Sequence, residues 1–285
     1  MNLKKYIELQ EKKWEDSSYI VKGNGIWNVP SMLTESEKKL LAFLTEKVYT
    51  GKGKILDLGC FLGGSTAFLA QGLSKNKNAT GQIDSFDLFK LSNYELNYYF
   101  PRNNLKPPAD LDTENMFLDY IAPFKSLVNM HKGNILDFKY DKTKIEILFV
   151  DIMKSSEIYD KIIKEFLTHL IPFQSIVILQ DYYFGKSGVW HYVLTSKLRN
   201  KLKKITDTKI NSNVLLCVDH ISKEDVENCL WKNTSFTEKV ESIFFALEHC
   251  ESKEQEAMLK TVLQSTALNE DEKKGLDYNM LNRNN

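Results

Sequence analysis

Leu56–Thr66, LDLGCFLGGST, is the stretch on which the fold turns. It joins Lys54–Leu58 (KILDL), a short apolar run of strand length, to an apolar helix predicted over Ser65–Leu73. Gly59 would make the tight turn. Gly63 and Gly64 would leave room for a ligand backbone or carboxylate to approach the helix N-terminus, where free N–H groups favour negative charge. Strand, glycine turn and helix in this order open a nucleotide-binding α/β fold. The glycines are spaced GxxxGG, unlike the GxGxxG of dinucleotide sites. Asp57, within the strand end, is placed to receive a ligand ammonium directly or through water.

Upstream, Ser31–Val48 sets Leu40, Leu41, Phe43, Leu44 and Val48 on one helical face, with Thr34 as N-cap, Glu37 closing a capping box and Lys38 solvated beyond it. Downstream, further strands are predicted at Gln82–Phe86, Leu127–His131, Glu146–Val150 and Ser175–Leu179. A helix over Ser156–Leu170, with Ile158, Ile162, Phe166 and Leu170 on one face, is stopped by Pro172. Lys204–Ile210 and Asn213–Val218 flank the turn residues Asn211 and Ser212 and predict a terminal hairpin. From Ser222 the chain reads as helices, with an apolar stripe through Val240, Ile243, Phe244 and Leu247.

The fold class that follows is α/β, Rossmann-like and doubly wound. Its mostly parallel seven-stranded sheet has an antiparallel C-terminal hairpin strand and extra helices at both ends. The expected division is an N-terminal helical segment (1–50), a central domain (51–221) and a C-terminal helical appendage (222–285) that caps the site or joins two copies into a homo-oligomer. The long connection 90–123, rich in Tyr and Pro, is either a substrate lid or a structural excursion.

The 38 basic residues are matched by 38 acidic ones, so no global field attracts nucleic acid. The densest basic run, Lys197–Lys204 (KLRNKLKK), reads as the solvated face of a helix. Four scattered cysteines, Cys60, Cys217, Cys229 and Cys250, show no metal-ligand spacing and read as buried thiols of a reducing compartment. With no apolar run of membrane length and no apolar signal region, a cytoplasmic protein without membrane or nucleic-acid partners is expected.

Asp87 ends the second strand, in QIDSFDLF, where an acid suits both ribose hydroxyls; Asp84 lies earlier in the same strand. From Leu56 to Asp87 the sequence resembles class I S-adenosylmethionine (SAM)-dependent methyltransferases. Phe149–Phe184, FVDIMKSSEIYDKIIKEFLTHLIPFQSIVILQDYYF, is similar to the branch holding macrocin-type and related sugar O-methyltransferases. In that branch the fourth strand ends in Asp, a helix follows, and a Pro-containing turn leads to a fifth strand ending in an acidic pair. The resemblance implies that Gly59, Gly63, Gly64 and Ser65 contact the methionine portion of SAM, with Asp57 at the strand end and Asp87 on the ribose. Gly133 and Asn134, in HKGNILDF, fall on the adenine side, Asn134 standing where an acid is usual. Asp151 would lie next to the transferred methyl group.

Relatives that bind a divalent cation draw carboxylates from the ends of the fourth and fifth strands. Here the fifth-strand pair is Gln180-Asp181, and Asp151–Glu157 (DIMKSSE) has gained Lys154 and lost a histidine. Asp151, Gln180 and Asp181 could hold magnesium with water completing the shell, or Lys154 could take the charge position instead. Proton acceptors for methyl transfer are Asp151, Asp181 and His191. His131 reads as structural, and Trp190, Tyr182 and Tyr183 line the acceptor pocket or belong to the core. The expected activity is O-methylation of a small polar acceptor, a sugar or sugar nucleotide of surface-glycan biosynthesis. Two other readings stand beside it: a catalytically silent SAM-binding scaffold, and a NAD-dependent oxidoreductase, which the GxxxGG spacing disfavours.

Overall fold

Short apolar runs bounded by turn residues form the strands, and the longer amphipathic segments between them form the helices. The computed structural model describes residues 1–16, 26–184, 188–209 and 211–267. Among these the strands are β1 (Lys54–Leu58), β2 (Ile83–Asp87), β3 (Val128–Lys132), β4 (Ile145–Val150), β5 (Ile176–Leu179), β6 (Leu202–Asp207) and β7 (Asn213–Cys217). The helices are α1 (Leu3–Gln10), α2 (Glu35–Phe43), α3 (Gly64–Lys75), α4 (Phe100–Arg102), α5 (Glu114–Tyr120), α6 (Ser156–Phe166), α7 (Val189–Lys197), α8 (Lys223–Cys229), α9 (Phe236–Glu248) and α10 (Lys253–Ala267). The strands make one sheet in the order β3-β2-β1-β4-β5-β7-β6. β7 runs antiparallel between β5 and β6, while β1, β2 and β3, and likewise β4 and β5, pair in parallel. This is the expected Rossmann-like class. The antiparallel β7 departs from the all-parallel order of dinucleotide-binding sheets.

By its internal contacts the chain falls into two compact units, Asn2–Phe138 and the described residues from Lys139. In the first unit, Thr34 caps α2. Its hydroxyl accepts from the Glu37 N–H at 3.3 Å, and Glu37 returns a bond to the Thr34 N–H at 2.8 Å. Leu40, Leu41, Phe43, Leu44 and Val48 are all buried. Lys38 is not simply solvated: it is half-buried, with its ammonium 5.8 Å from the centre of the Phe68 ring. α2 and α3 cross closely enough for the Thr45 hydroxyl to donate to the Leu69 carbonyl at 2.8 Å. A Cβ on Gly72 would overlap the Ala42 carbonyl and the Thr45 hydroxyl. Stretch 90–123 is no bare loop: α4 and α5 lie within it, and Leu91, Tyr99 and Phe100 form a buried cluster with Leu62.

In the second unit β4 and β5 are buried along their whole length, which is why both read as unbroken apolar runs. α6 ends at Phe166, earlier than expected, and passes into a 3-10 turn over Leu167–His169. The hairpin forms, but β6 starts at Leu202 and ends at Asp207; Ile210 lies outside the described residues. The run Lys197–Lys204 is consequently not a helical face. It spans the end of α7, a turn and the start of β6, and Lys197, Lys201 and Lys204 pair with Glu238, Asp219 and Asp207 respectively. The buried side of α9 runs through Lys239, Ser242, Ile243 and Ala246, leaving Phe244 half exposed, so the apolar stripe expected there points only partly inward. All four cysteines are free, three of them buried. No helix among the described residues is long and apolar enough to cross a membrane.

Because the obstacles at Gly72 are backbone and a buried hydroxyl, Gly72→Ala is expected to destabilise the protein despite the better helix propensity of alanine. The expected cost is about 1–3 kcal/mol, read as a melting temperature lower by several degrees. An unchanged or higher melting temperature would show that the crossing of α2 and α3 yields to a methyl group.

Candidate active site

The first unit builds the glycine turn around two carboxylates. Asp57, on β1, is 0% exposed and takes no part in an open surface. It accepts from the Ser65 hydroxyl at 2.9 and 2.8 Å and from the Thr66 hydroxyl at 2.5 Å, which ties the strand end to the first turn of α3. Thr66 in turn lies 3.0 Å from the Ser85 hydroxyl on β2. Burial pushes the Asp57 carboxyl up to about 6, although the hydroxyls act in the opposite direction. Asp57 and Ser65, read from sequence as ligand contacts, are thus engaged with each other.

Gly59 and Gly63 have φ of 95° and 92°, the left-handed region that favours glycine. The faces of the glycine pair are taken up by the chain. A Cβ at Gly63 would press on Ile121 and Phe117, and one at Gly64 on Ser31. A side chain at either glycine would therefore have to displace α5, the turn after it or the segment before α2.

Asp87 is the hub of the unit. Its two carboxylate oxygens accept from the Phe61 N–H and the Phe89 N–H, both at 2.8 Å, and its carbonyl accepts from the Gly133 N–H at 3.0 Å. One side chain therefore gathers the glycine turn and the loop leaving β2, and its backbone adds the turn after β3. Each carboxylate oxygen keeps a further acceptor direction for a hydroxyl. Burial raises the Asp87 pKa, with the amide bonds from Phe89 and Phe61 opposing. Gly133 has nothing within 4 Å of a notional Cβ, and Asn134 is exposed, its side-chain carbonyl accepting from the Leu136 N–H at 3.0 Å. Asp84 stands apart from this group: it pairs with Lys54 at 3.1 Å and His131 at 3.0 Å, while His131 stacks on Phe86.

The second unit brings Asp151, Lys154 and Asp181 together. Asp151 follows β4, and Asp181 stands two residues beyond β5 with φ of 59°. Between Asp151 and α6 the chain doubles back, the Lys154 N–H donating to the Ile152 carbonyl at 2.8 Å before Ser155 caps the helix. The Lys154 ammonium then lies 3.2 Å from Asp151 and 2.5 Å from Asp181. Burial alone would lower its pKa, but the two carboxylates outweigh that and hold it above the ordinary lysine range. Gln180 is buried, and its side-chain oxygen has no hydrogen-bond partner among the described residues. His191, on α7, is also buried, with neither ring nitrogen partnered among the described residues, and stacks 6.1 Å from Tyr182. Burial draws its pKa down to about 3, so the ring is neutral at physiological pH; Asp181 opposes this and Lys154 reinforces it.

The candidate metal ligands do not fit a divalent ion. Among the described residues no group of three or more His, Cys, Asp or Glu side chains is placed to hold one, and the position shared by Asp151 and Asp181 is taken by the Lys154 ammonium. Thr66 and Ser85 were not singled out in sequence. The signal for Thr66 is a second hydroxyl directly after Ser65, one turn into a helix that starts beside a strand-end acid.

No family profile matches the chain, and no curated protein matches it in sequence. Solved structures do match its fold. The O-methyltransferase NovP is 12% identical with a TM-score of 0.50, covering 76% of this chain and 98% of its own. The cofactor-bound Rv0187 from MTB is 13% identical with a TM-score of 0.50, covering 71% of this chain and 94% of its own. At such identities the likeness is one of fold, and the fold is that of a Rossmann-like methyltransferase.

Asp57 gives a pH test. Its folded-state pKa lies above the unfolded value, so its contribution favours folding at low pH and is lost as pH rises from about 4 through about 6. Asp57→Asn removes that dependence. The stability of the variant relative to the parent is expected to rise across this window and level off above it, by on the order of 3 kcal/mol for a shift near two units. Denaturant titrations of both proteins at pH 4, 5, 6 and 7 measure it; a flat difference would mean that Asp57 does not carry a raised pKa.

Proposed function

We propose that the chain is a SAM-dependent methyltransferase acting on a hydroxyl of a small polar acceptor, with sugars or sugar nucleotides as the acceptor class. The observation that carries the cofactor is Asp87: a partly buried residue that orders the glycine turn and the following loop through its carboxylate, on Phe61 and Phe89, and the β3 turn through its carbonyl, on Gly133, and whose carboxylate still has acceptor capacity for two vicinal hydroxyls. The open space at Gly133 supports an adenine there. The antiparallel β7 and the GxxxGG spacing speak for this cofactor over a nicotinamide dinucleotide. The sugar class rests on the sequence likeness of Phe149–Phe184 to sugar O-methyltransferases.

Bound SAM supplies a methyl group on a sulfonium, an electrophile that needs no further activation by the protein. The residues of the chain have two tasks. Asp87 and the glycine turn fix the nucleoside so that the attack is in line, where most of the acceleration arises. Asp151 and Asp181, both in contact with the Lys154 ammonium, orient the acceptor hydroxyl and receive its proton as the new bond to carbon forms. His191, neutral and deeply buried, shapes the pocket from α7.

Calorimetric titration with S-adenosylhomocysteine tests the cofactor assignment. Asp87→Asn keeps the shape but loses a charged acceptor, and is expected to weaken binding by about tenfold or more, equivalent to about 1.4 kcal/mol. Asp181→Asn should bind within about threefold of the parent while its turnover collapses. If the parent protein fails to bind the nucleoside, the proposal is wrong at its base; if it binds NAD instead, the oxidoreductase reading takes its place.

A further inference from the structure

The motif after β4 holds a feature whose role goes beyond pairing the two acids: a lysine seated where the carboxylates of two strand ends meet. We propose that the Lys154 ammonium is the resident cation of this centre and makes the protein independent of divalent metal. The inference rests on the methyltransferase reading for what the cation is used for, but not for its presence.

Three observations support it. The ammonium bridges Asp151 and Asp181 at 3.2 and 2.5 Å, so it touches both carboxylates that a cation would have to join. The backbone is shaped to deliver it, since the Lys154 N–H to Ile152 carbonyl bond folds the chain back before the Ser155 cap starts α6. The residue next to Asp181 is Gln180, a neutral amide whose buried oxygen has no partner among the described residues, so the set offers two negative charges. One ammonium and two carboxylates leave a net charge of −1, whereas a divalent ion added to the same three groups would face the lysine directly. Two like cations cannot share one bridge, and the lysine is covalently present at all times. Ammonium differs from a metal ion in offering directed donors. Two of its three N–H groups serve the carboxylates, and the third is available to an acceptor oxygen.

The proposal turns into a gain-of-binding experiment. Manganese is titrated into the full-length protein without acceptor and followed by the loss of its free-ion electron paramagnetic resonance signal. The parent and Lys154→Arg, which keeps the charge, are expected to bind no stoichiometric manganese. Lys154→Ala leaves the two carboxylates facing one another and is expected to bind one ion at least tenfold more tightly than the parent, and Asp181→Asn in that background should abolish the gain. S-adenosylhomocysteine affinity within about threefold of the parent certifies that the variants are folded and tests the cofactor separately. Stoichiometric manganese binding by the parent that is lost in Asp181→Asn would overturn the proposal, and that measurement needs no lysine variant to fold. So would a folded Lys154→Ala with no gain. Loss of nucleoside binding in the parent alone would remove the methyltransferase reading and leave the resident cation standing.

Discussion

A carboxylate with no exposure to water, on the second residue from the end of a strand, constrains the rest of the first unit. Asp57 cannot be left without donors, because an unpartnered buried charge costs several kcal/mol. Its donors are two hydroxyls in the first turn of α3. That requirement fixes how the helix starts relative to the strand and sets the length of the turn between them. Thr66 passes the constraint on to Ser85 of β2, so two parallel strands and one helix are held by a short chain of polar contacts inside an apolar layer. Burial raises its pKa, and the hydroxyls, which bring no full positive charge, offset that only in part.

Asp87 repeats the device at the neighbouring strand end with backbone amides as donors. The difference matters for function. Side-chain hydroxyls enclose Asp57 completely, whereas the amides of Phe61 and Phe89 approach Asp87 in ways that leave lone pairs over. Asp57 ties β1 to the first turn of α3, whereas Asp87 joins the glycine turn to the loop leaving β2. The stretch 90–123 belongs to the same design: Phe117 and Ile121 close over Gly63, so the excursion supports the glycine turn with a packed apolar cluster.

The order of strands and the hairpin were legible because buried parallel strands are continuous apolar runs and because Asn211 and Ser212 mark a turn. The glycine turn and the acid that ends β2 were legible because both are spaced by the geometry of a strand and a helix. What the spacing could not supply was the direction in which each polar group points. Ser65 facing Asp57, or Gly64 facing Ser31, depends on contacts between segments far apart in sequence. Lys197–Lys204 failed as a helix for a related reason: Lys and Arg suit both a helix end and an edge strand, and here the edge position of β6 outweighs helix propensity.

The second unit treats its acids in the opposite manner from the first. Asp57 meets neutral donors, so its charge is marginal near pH 6; Asp151 and Asp181 meet a full positive charge that is itself strengthened by them. Under the resident-cation proposal, a centre built this way does not depend on the supply of a diffusible ion. On that proposal, the lysine of DIMKSSE is what neutralises the two carboxylates, and they in turn hold the ammonium in place.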